Sequence, residues 1–302
     1  MKPRLGGGIY LLPNLLTTGN LFFGFFAVVK ALSGSMFIAA CCLFVAAIFD
    51  VLDGRVARLT GATSEFGVQY DSLCDFLSFG IAPAIIAYQY ALVGLGRIGW
   101  VLCFVYVAGG ALRLARFNVQ SAIGQSTDDF IGLPIPMAAG VIGAFVALRE
   151  DVLTGSGEHV PALAATLLEY LQNDLAPIMF LTYAMPFLAI VMVSNFAYQS
   201  HKVIKIRLMH PFKLLVIAVG MFAVIAYEPL VSVFILTVLY AISGPAAWVI
   251  GLKKILNDGD IFATPEMDES IMEPGIAGLR RASDSRALSV SSDPKSDEHT
   301  VN

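Results

Sequence analysis

The sequence predicts an all-α, polytopic membrane helix bundle of about eight transmembrane helices. Three observations lead there. Hydrophobic residues make up 57% of the 302-residue chain and charged residues only 14%, where a soluble domain carries about 25% charged residues. Mean hydropathy is +0.75. The apolar residues gather into runs close to the roughly 20 needed to cross a bilayer.

In chain order the predicted spans are 13–33, 35–56, 70–92, 96–117, 132–149, 175–195, 211–227 and 229–251. Basic residues orient them. Lys2 and Arg4 precede the first span, Arg55 and Arg58 end the second, and Arg113 and Arg116 end the fourth. Lys202, Lys205, Arg207 and Lys213 lie between the sixth and seventh, and Lys253 and Lys254 follow the eighth. If the spans alternate, all of these fall on one side, and only Lys30, Arg97 and Arg149 lie near the other. By the positive-inside rule both termini are cytoplasmic. No charged leader, short apolar core and cleavage site precede the first span, so no removable signal peptide is expected.

Residues 1–255 are therefore expected to form one membrane-embedded domain. From about residue 256 the composition changes. The tail carries ten acidic residues against four basic ones, a net −6, which leaves the remaining body at +2. Its Ser, Asp and Pro content with few aromatics predicts disorder over 256–302. Cys41, Cys42, Cys74 and Cys103 form no C-x-x-C pair and read as small apolar residues. His159, His201, His210 and His299 all fall outside the predicted spans. A bilayer partner is expected, and a nucleic-acid partner is not.

The chemistry is concentrated around the second and third spans. Asp50, Asp53, Asp71 and Asp75 interrupt an apolar stretch, with Gly54, Ala57, Arg58 and Gly67 among them, in the pattern D-x2-D-G-x2-A-R-x8-G-x3-D-x3-D. An Asp at a helix centre costs about 3 kcal/mol on insertion scales, so four near one turn require compensation. Helix geometry puts Asp50 and Asp53 about 60° apart on one face and stacks Asp71 over Asp75. A polar turn over 59–66 would bring the two helices together antiparallel, letting the carboxylates converge. An all-oxygen site without His or Cys suits Mg²⁺ or Mn²⁺, with Ca²⁺ a poorer match, and has room for two ions bridging a diphosphate. Gly54 and Ala57 would leave backbone open to a bulky ligand, Arg58 offers a forked cation to phosphate, and Gly67 would permit the turn and a close helix approach. The alternative is local neutralisation of Asp50 and Asp53 by Arg55 and Arg58, which leaves Asp71 and Asp75 unexplained.

At these residues the chain resembles the CDP-alcohol phosphatidyltransferase family, whose signature has this spacing. The resemblance implies a membrane enzyme that moves a phosphatidyl group from a CDP-linked lipid to an alcohol and releases CMP. It makes Asp50, Asp53 and Asp71 metal ligands, and Asp75 the general base and a further ligand. It places Gly54, Arg58, Ser64 and Gly67 at the CDP-diacylglycerol site. Pro13-Asn14-Leu15-Leu16-Thr17 is similar to a family segment that adds Asn14 and Thr17 to that site, and is equally a Pro-Asn helix start. The resemblance also suggests a homodimer, and the distribution of basic residues puts the site on the cytoplasmic side of what is expected to be a bacterial-type inner (cell) membrane.

Two further segments are similar to those of the serine-using subgroup, the phosphatidylserine synthases. These are Phe130-Ile131-Gly132-Leu133-Pro134-Ile135-Pro136 and Arg113-Leu114-Ala115-Arg116-Phe117-Asn118. Arg116 could hold the carboxylate of L-serine bidentately and Asn118 could accept from its ammonium, with Pro134 nearby. Arg113 reads better as a topological charge, and the Gly-Leu-Pro-x-Pro run could be only a rigid helix start. Other acceptors open to the family are glycerol 3-phosphate, inositol and choline. From another class, a divalent-cation transporter would also carry intramembrane carboxylates, but spread through the bilayer depth rather than gathered at one face.

Overall fold

The computed structural model describes residues 11–62, 64–122, 130–154, 170–198, 219–220 and 225–257. By contact the chain divides into Met1–Ile250 and Gly251–Asn302, and the candidate site lies wholly in the first unit.

Among the described residues the regular structure is helical except for one ladder of two-residue strands. Helix α1 spans Leu11–Leu32 and α2 spans Met36–Thr60. A long third helix, α3, runs over Glu65–Leu95 and is interrupted by π turns at Phe76–Ile81 and Tyr88–Leu92. Then come α4 (Arg97–Ala122), α5 (Ile135–Thr154), α6 (Ala176–Val193) and α7 (Pro229–Asn257). Six helices are long and apolar enough to cross a membrane: α1 to α4, α6 and α7. Leu15, Phe22 and Phe25 on α1, and Trp100, Phe104 and Leu112 on α4, are exposed large hydrophobics that a soluble fold would bury. A bilayer covers such faces, and the chain is an integral membrane protein.

Two of the eight predicted spans stand differently. The stretch 132–149 is helical from Ile135 onward, but α5 continues through Arg149, Glu150 and Asp151 and is charged at that end. Its residues from Val141 to Arg149 are buried without a break, because a helix apolar on every side fits the middle of a bundle. Its charged end is bonded internally. Arg149 Nε donates to the Leu171 carbonyl (3.0 Å), its Nη1 donates to the Tyr90 hydroxyl (3.1 Å), and Tyr90 donates to Glu150 (2.9 Å). The predicted span 211–227 lies outside the described residues except for 219–220 and 225–227. Most of the predicted tail lies outside them as well.

The ladder pairs Phe130–Ile131 with Ala197–Tyr198, antiparallel. Gly132 follows it with φ +79°, and its N–H donates to the Phe196 carbonyl at 2.9 Å. Leu133 N–H donates to the Val191 carbonyl at 3.2 Å. The positive φ and the contact with the Met192 carbonyl explain glycine at this position. The Pro134 carbonyl accepts from Met137 and Ala138 (3.0 and 3.1 Å), which opens α5. The segment therefore clamps the start of α5 to the end of α6.

Helix α1 lies tightly against the first π turn of α3. The Ser78 hydroxyl donates to the Asn20 carbonyl at 3.1 Å, and Gly24 leaves no room for a side chain. A Cβ there would meet the Ser78 hydroxyl and lie 2.7 Å from the Ser78 Cα. The clash is with backbone, so the helices would have to part. Gly24→Ala should destabilise the protein by roughly 1–3 kcal/mol, read as a lower thermal midpoint in detergent. An unchanged midpoint would show that α1 is free to move.

Candidate active site

The turn between α2 and α3 sets the geometry. Gly61 caps α2 in the left-handed conformation, φ +63°, with its N–H toward the Ala57 and Arg58 carbonyls. Ser64, extended, opens α3, and its side-chain oxygen accepts from Gly67 N–H at 3.0 Å. Gly61 is thus the residue that the turn requires, where the sequence pointed to Gly67. The second role expected of Gly67, close approach, is met differently. A Cβ on it would lie 3.1 Å from Ser64 Oγ and 3.6 Å from Asn14 Oδ1.

Reversal of the chain at this turn brings the signature together. Asp50, Asp53 and Asp71 each present a carboxylate oxygen, and the three oxygens lie within 4.8 Å of one another. Asp53 is 4% exposed, and Asp50 and Asp71 are half-buried. Asp53 Oδ2 and Asp71 Oδ1 are buried without a hydrogen-bond partner. Leaving a buried polar atom unsatisfied costs about 1–3 kcal/mol, and more for a charged group. Converging carboxylates also repel one another. A hard cation relieves both problems, and the donor set fits one. The residues that could hold it are Asp50, Asp53 and Asp71.

Asp75 is buried beside this group, within charge range of Asp50, Asp71 and Asp53. Its Oδ1 accepts from Asn20 Nδ2 at 2.8 Å. Asn20 is fully buried and its own Oδ1 has no partner. The Ser78–Asn20 bond fixes the Asn20 backbone, and Ser78 stands three residues after Asp75, so Asn20 and Asp75 are held as a unit. The sequence reading missed Asn20, although an Asn just before the apolar run 21–26 of the first span was a visible signal.

The other candidates sort by position. Asn14, Ser64 and Gly67 meet where α1 faces the α2–α3 turn. Thr17, 4% exposed, donates to the Pro13 carbonyl at 3.1 Å and lies in hydrogen-bonding range of Asp53. A Cβ on Gly54 would lie 3.5 Å from Arg58 Nη1, and Arg58 is within charge range of Asp53. On α4, Asn118 Oδ1 accepts from the Ser72 hydroxyl at 3.1 Å. Arg116 Nη1 donates to the Val193 carbonyl of α6 at 3.4 Å. Pro134 opens α5 as described. Arg113, taken from sequence as a topological charge, lies within charge range of Asp75 and Asp50.

Comparison with known proteins identifies the family. A family model described as CDP-alcohol phosphatidyltransferase matches residues 10–171. The chain is similar to a CDP-diacylglycerol–serine O-phosphatidyltransferase of Helicobacter pylori, 37% identical over 254 residues, covering 82% of this chain and 95% of the relative. It is also similar to an archaetidylserine synthase of Methanothermobacter thermautotrophicus, 42% identical over 136 residues, 44% of this chain and 57% of that one. A Bacillus subtilis CDP-diacylglycerol–serine O-phosphatidyltransferase is 35% identical over 127 residues, 42% of this chain and 70% of the relative.

Proposed function

The chain belongs to the CDP-alcohol phosphatidyltransferase family, and from that premise we propose that it transfers the phosphatidyl group of CDP-diacylglycerol to the hydroxyl of L-serine, giving phosphatidylserine and CMP. The observation that carries this reading is the convergence of Asp50, Asp53 and Asp71, with buried unpartnered oxygens, beside an Asp75 held by Asn20. The choice of serine is supported by the relatives, two of which carry serine transferase names.

Asp75 takes the proton of the serine hydroxyl as that oxygen attacks the phosphorus attached to diacylglycerol. The new O–P bond forms as the bond to CMP breaks, CMP leaves with the electron pair, and the proton passes from Asp75 to water. Two bound ions, Mg²⁺ or Mn²⁺, would neutralise charge on the diphosphate and on the departing CMP. Asp50, Asp53 and Asp71 would hold them, and Asp75 would be a further ligand. Asn20 keeps one Asp75 oxygen occupied and so directs the other to the acceptor. Asn14, Thr17, Gly54, Arg58, Ser64 and Gly67 form the CDP-diacylglycerol site. Arg116, Asn118 and Pro134 border the serine side.

The same reading places both termini and the site on the cytoplasmic side of a bacterial-type inner membrane. Two further spans join the six, the enzyme works as a homodimer, and residues 1–255 are the catalytic domain. The lipid then enters sideways from the bilayer, while serine and CMP exchange with water.

The test is an acceptor assay. Purified protein given CDP-diacylglycerol and Mn²⁺ should release CMP with L-serine and far less with glycerol 3-phosphate, inositol or choline. A preference for one of those would replace the acceptor. Metal flux into proteoliposomes without CMP release would replace the enzyme by a transporter.

A further inference from the structure

We propose that Tyr198 is a positioning residue: it locks the ladder onto the proline kink of α7, and through the ladder and Ile135 it sets the π turn that follows Asp75. The inference rests on the reading of Asp75 as the base and deepens it.

The lock needs three residue types, each for its own reason. Pro245 lies inside α7. Because proline has no N–H, the carbonyl of Ala241, four residues earlier, loses its helical donor. The Tyr198 hydroxyl replaces that donor, at 2.8 Å from the Ala241 oxygen. Gly244 makes the room: a Cβ there would meet Tyr198 Cζ and lie 2.6 Å from Cε2. Tyr198 is 1% exposed and Ala241 2%, so at this depth an unsatisfied carbonyl is costly. The Tyr198 ring also lies 5.3 Å from that of Tyr240, and Phe196 lies 5.8 Å from Trp248. With its hydroxyl engaged and its ring enclosed, Tyr198 is not a substrate contact.

The lock holds the segment that opens α5. Tyr198 pairs with Phe130 and Ala197 with Ile131, and the Gly132 and Leu133 N–H groups donate to the Phe196 and Val191 carbonyls. Two residues further on, Ile135 is fully buried. Its Cδ1 sits in a notch between α3 and α4. A Cβ on Gly110 of α4 would lie 2.7 Å from that Cδ1, and one on Gly80 of α3 would lie 3.7 Å from it.

Gly80 belongs to the π turn Phe76–Ile81, which begins at the residue after Asp75. Such turns depart from the regular helical ladder and are frequent at functional sites. Three neighbours brace this one. Ser78 donates to the Asn20 carbonyl of α1 at 3.1 Å. Tyr106 of α4 donates to the Phe79 carbonyl at 3.0 Å. Ile135 fills the side at Gly80. The first two braces come from helices next to the site, whereas the third depends on the last span, by way of the ladder and Tyr198. The C-terminal helix thereby reaches Asp75 without touching it.

The experiment compares wild type with Tyr198→Phe, Ile135→Val and the double variant, as full-length protein in detergent with CDP-diacylglycerol, L-serine and Mn²⁺. Tyr198→Phe removes the hydroxyl of the lock, and Ile135→Val removes the methyl in the notch. Turnover is expressed per CDP-binding site, so misfolded protein drops out of the ratio. Each single variant should release CMP about 10-fold more slowly per site, within the roughly 100-fold that a misplacement of about 1 Å can cost. The dissociation constant for CDP should not change. Because both residues act through one linkage, the double variant should be no slower than the slower single variant. A merely structural lock would lower the thermal midpoint and leave turnover per site at the wild-type level, and that result overturns the inference. So does weakened CDP binding, or losses that multiply in the double variant. Should Tyr198→Phe fail to fold, wild-type turnover per site in Ile135→Val overturns it alone. In each of these cases the reading of Asp75 stands, whereas wild-type turnover in Asp75→Asn overturns both.

Discussion

Asp75→Asn should lower serine-dependent CMP release by roughly 10²- to 10⁴-fold, the usual contribution of a positioned general base. The substitution is nearly isosteric, and an Asn carbonyl oxygen can still accept from Asn20, whose Nδ2 lies 2.8 Å from Asp75 Oδ1. The α1–α3 packing should therefore survive, and with it CDP binding and the thermal midpoint. Only the capacity to take a proton is removed. Loss of turnover with CDP binding intact is the expected pattern. Wild-type turnover would refute the base assignment, and joint loss of folding and CDP binding would recast Asp75 as structural.

The second large effect concerns Asp71. Asp50 and Asp53 sit on one helix and Asp71 on the next, so Asp71→Asn removes the member that makes the cluster a two-helix site. Losing an outer-shell partner typically costs 10- to 100-fold in metal affinity, and losing a direct ligand should cost more. Two readouts move in opposite directions. Without metal, the variant should melt at or above the wild-type temperature, because a repulsive buried carboxylate is gone. With Mn²⁺ at about 100 times its dissociation constant, wild type should gain about 2.7 kcal/mol, and the variant should gain almost none. Turnover should vanish in the variant, as it should in wild type stripped by a chelator, and Mn²⁺ should restore only wild type. A variant stabilised by Mn²⁺ as much as wild type would remove Asp71 from the ligand set.

How much of this was legible depended on whether the signal was local. The spans of α1 to α4 follow from apolar length, and the meeting of Asp50, Asp53 and Asp71 follows from helical period plus one turn. Both are properties of short stretches. Burial of α5 is not, because an apolar helix inside a bundle and one facing lipid have the same composition, and Arg149 and Glu150 are satisfied by Tyr90 and Leu171 from elsewhere. Asn20 pairs with a residue 55 positions away, which no periodicity announces. Gly61 and Gly67 flank one turn, and only the backbone angle distinguishes their work. Arg113 and Arg116 are equivalent in sequence, three residues apart on one helix. Only their surroundings separate them: Arg116 bonds the Val193 carbonyl, whereas Arg113 lies within charge range of Asp75, Tyr240 and Asp50. Ser72 lies next to the signature's Asp71, yet nothing in the sequence tied it to α4.

The central claim is that aspartates from α2 and α3 hold a cation that grips the nucleotide's phosphates. Electron paramagnetic resonance of Mn²⁺ bound to the full-length protein, with CDP enriched in ¹⁷O at its phosphates, tests it most directly. The account predicts Mn²⁺ binding that is lost in Asp71→Asn, and resonance lines broadened by the labelled oxygens in wild type. Undiminished binding in the variant, or lines that the label leaves unbroadened, would contradict it.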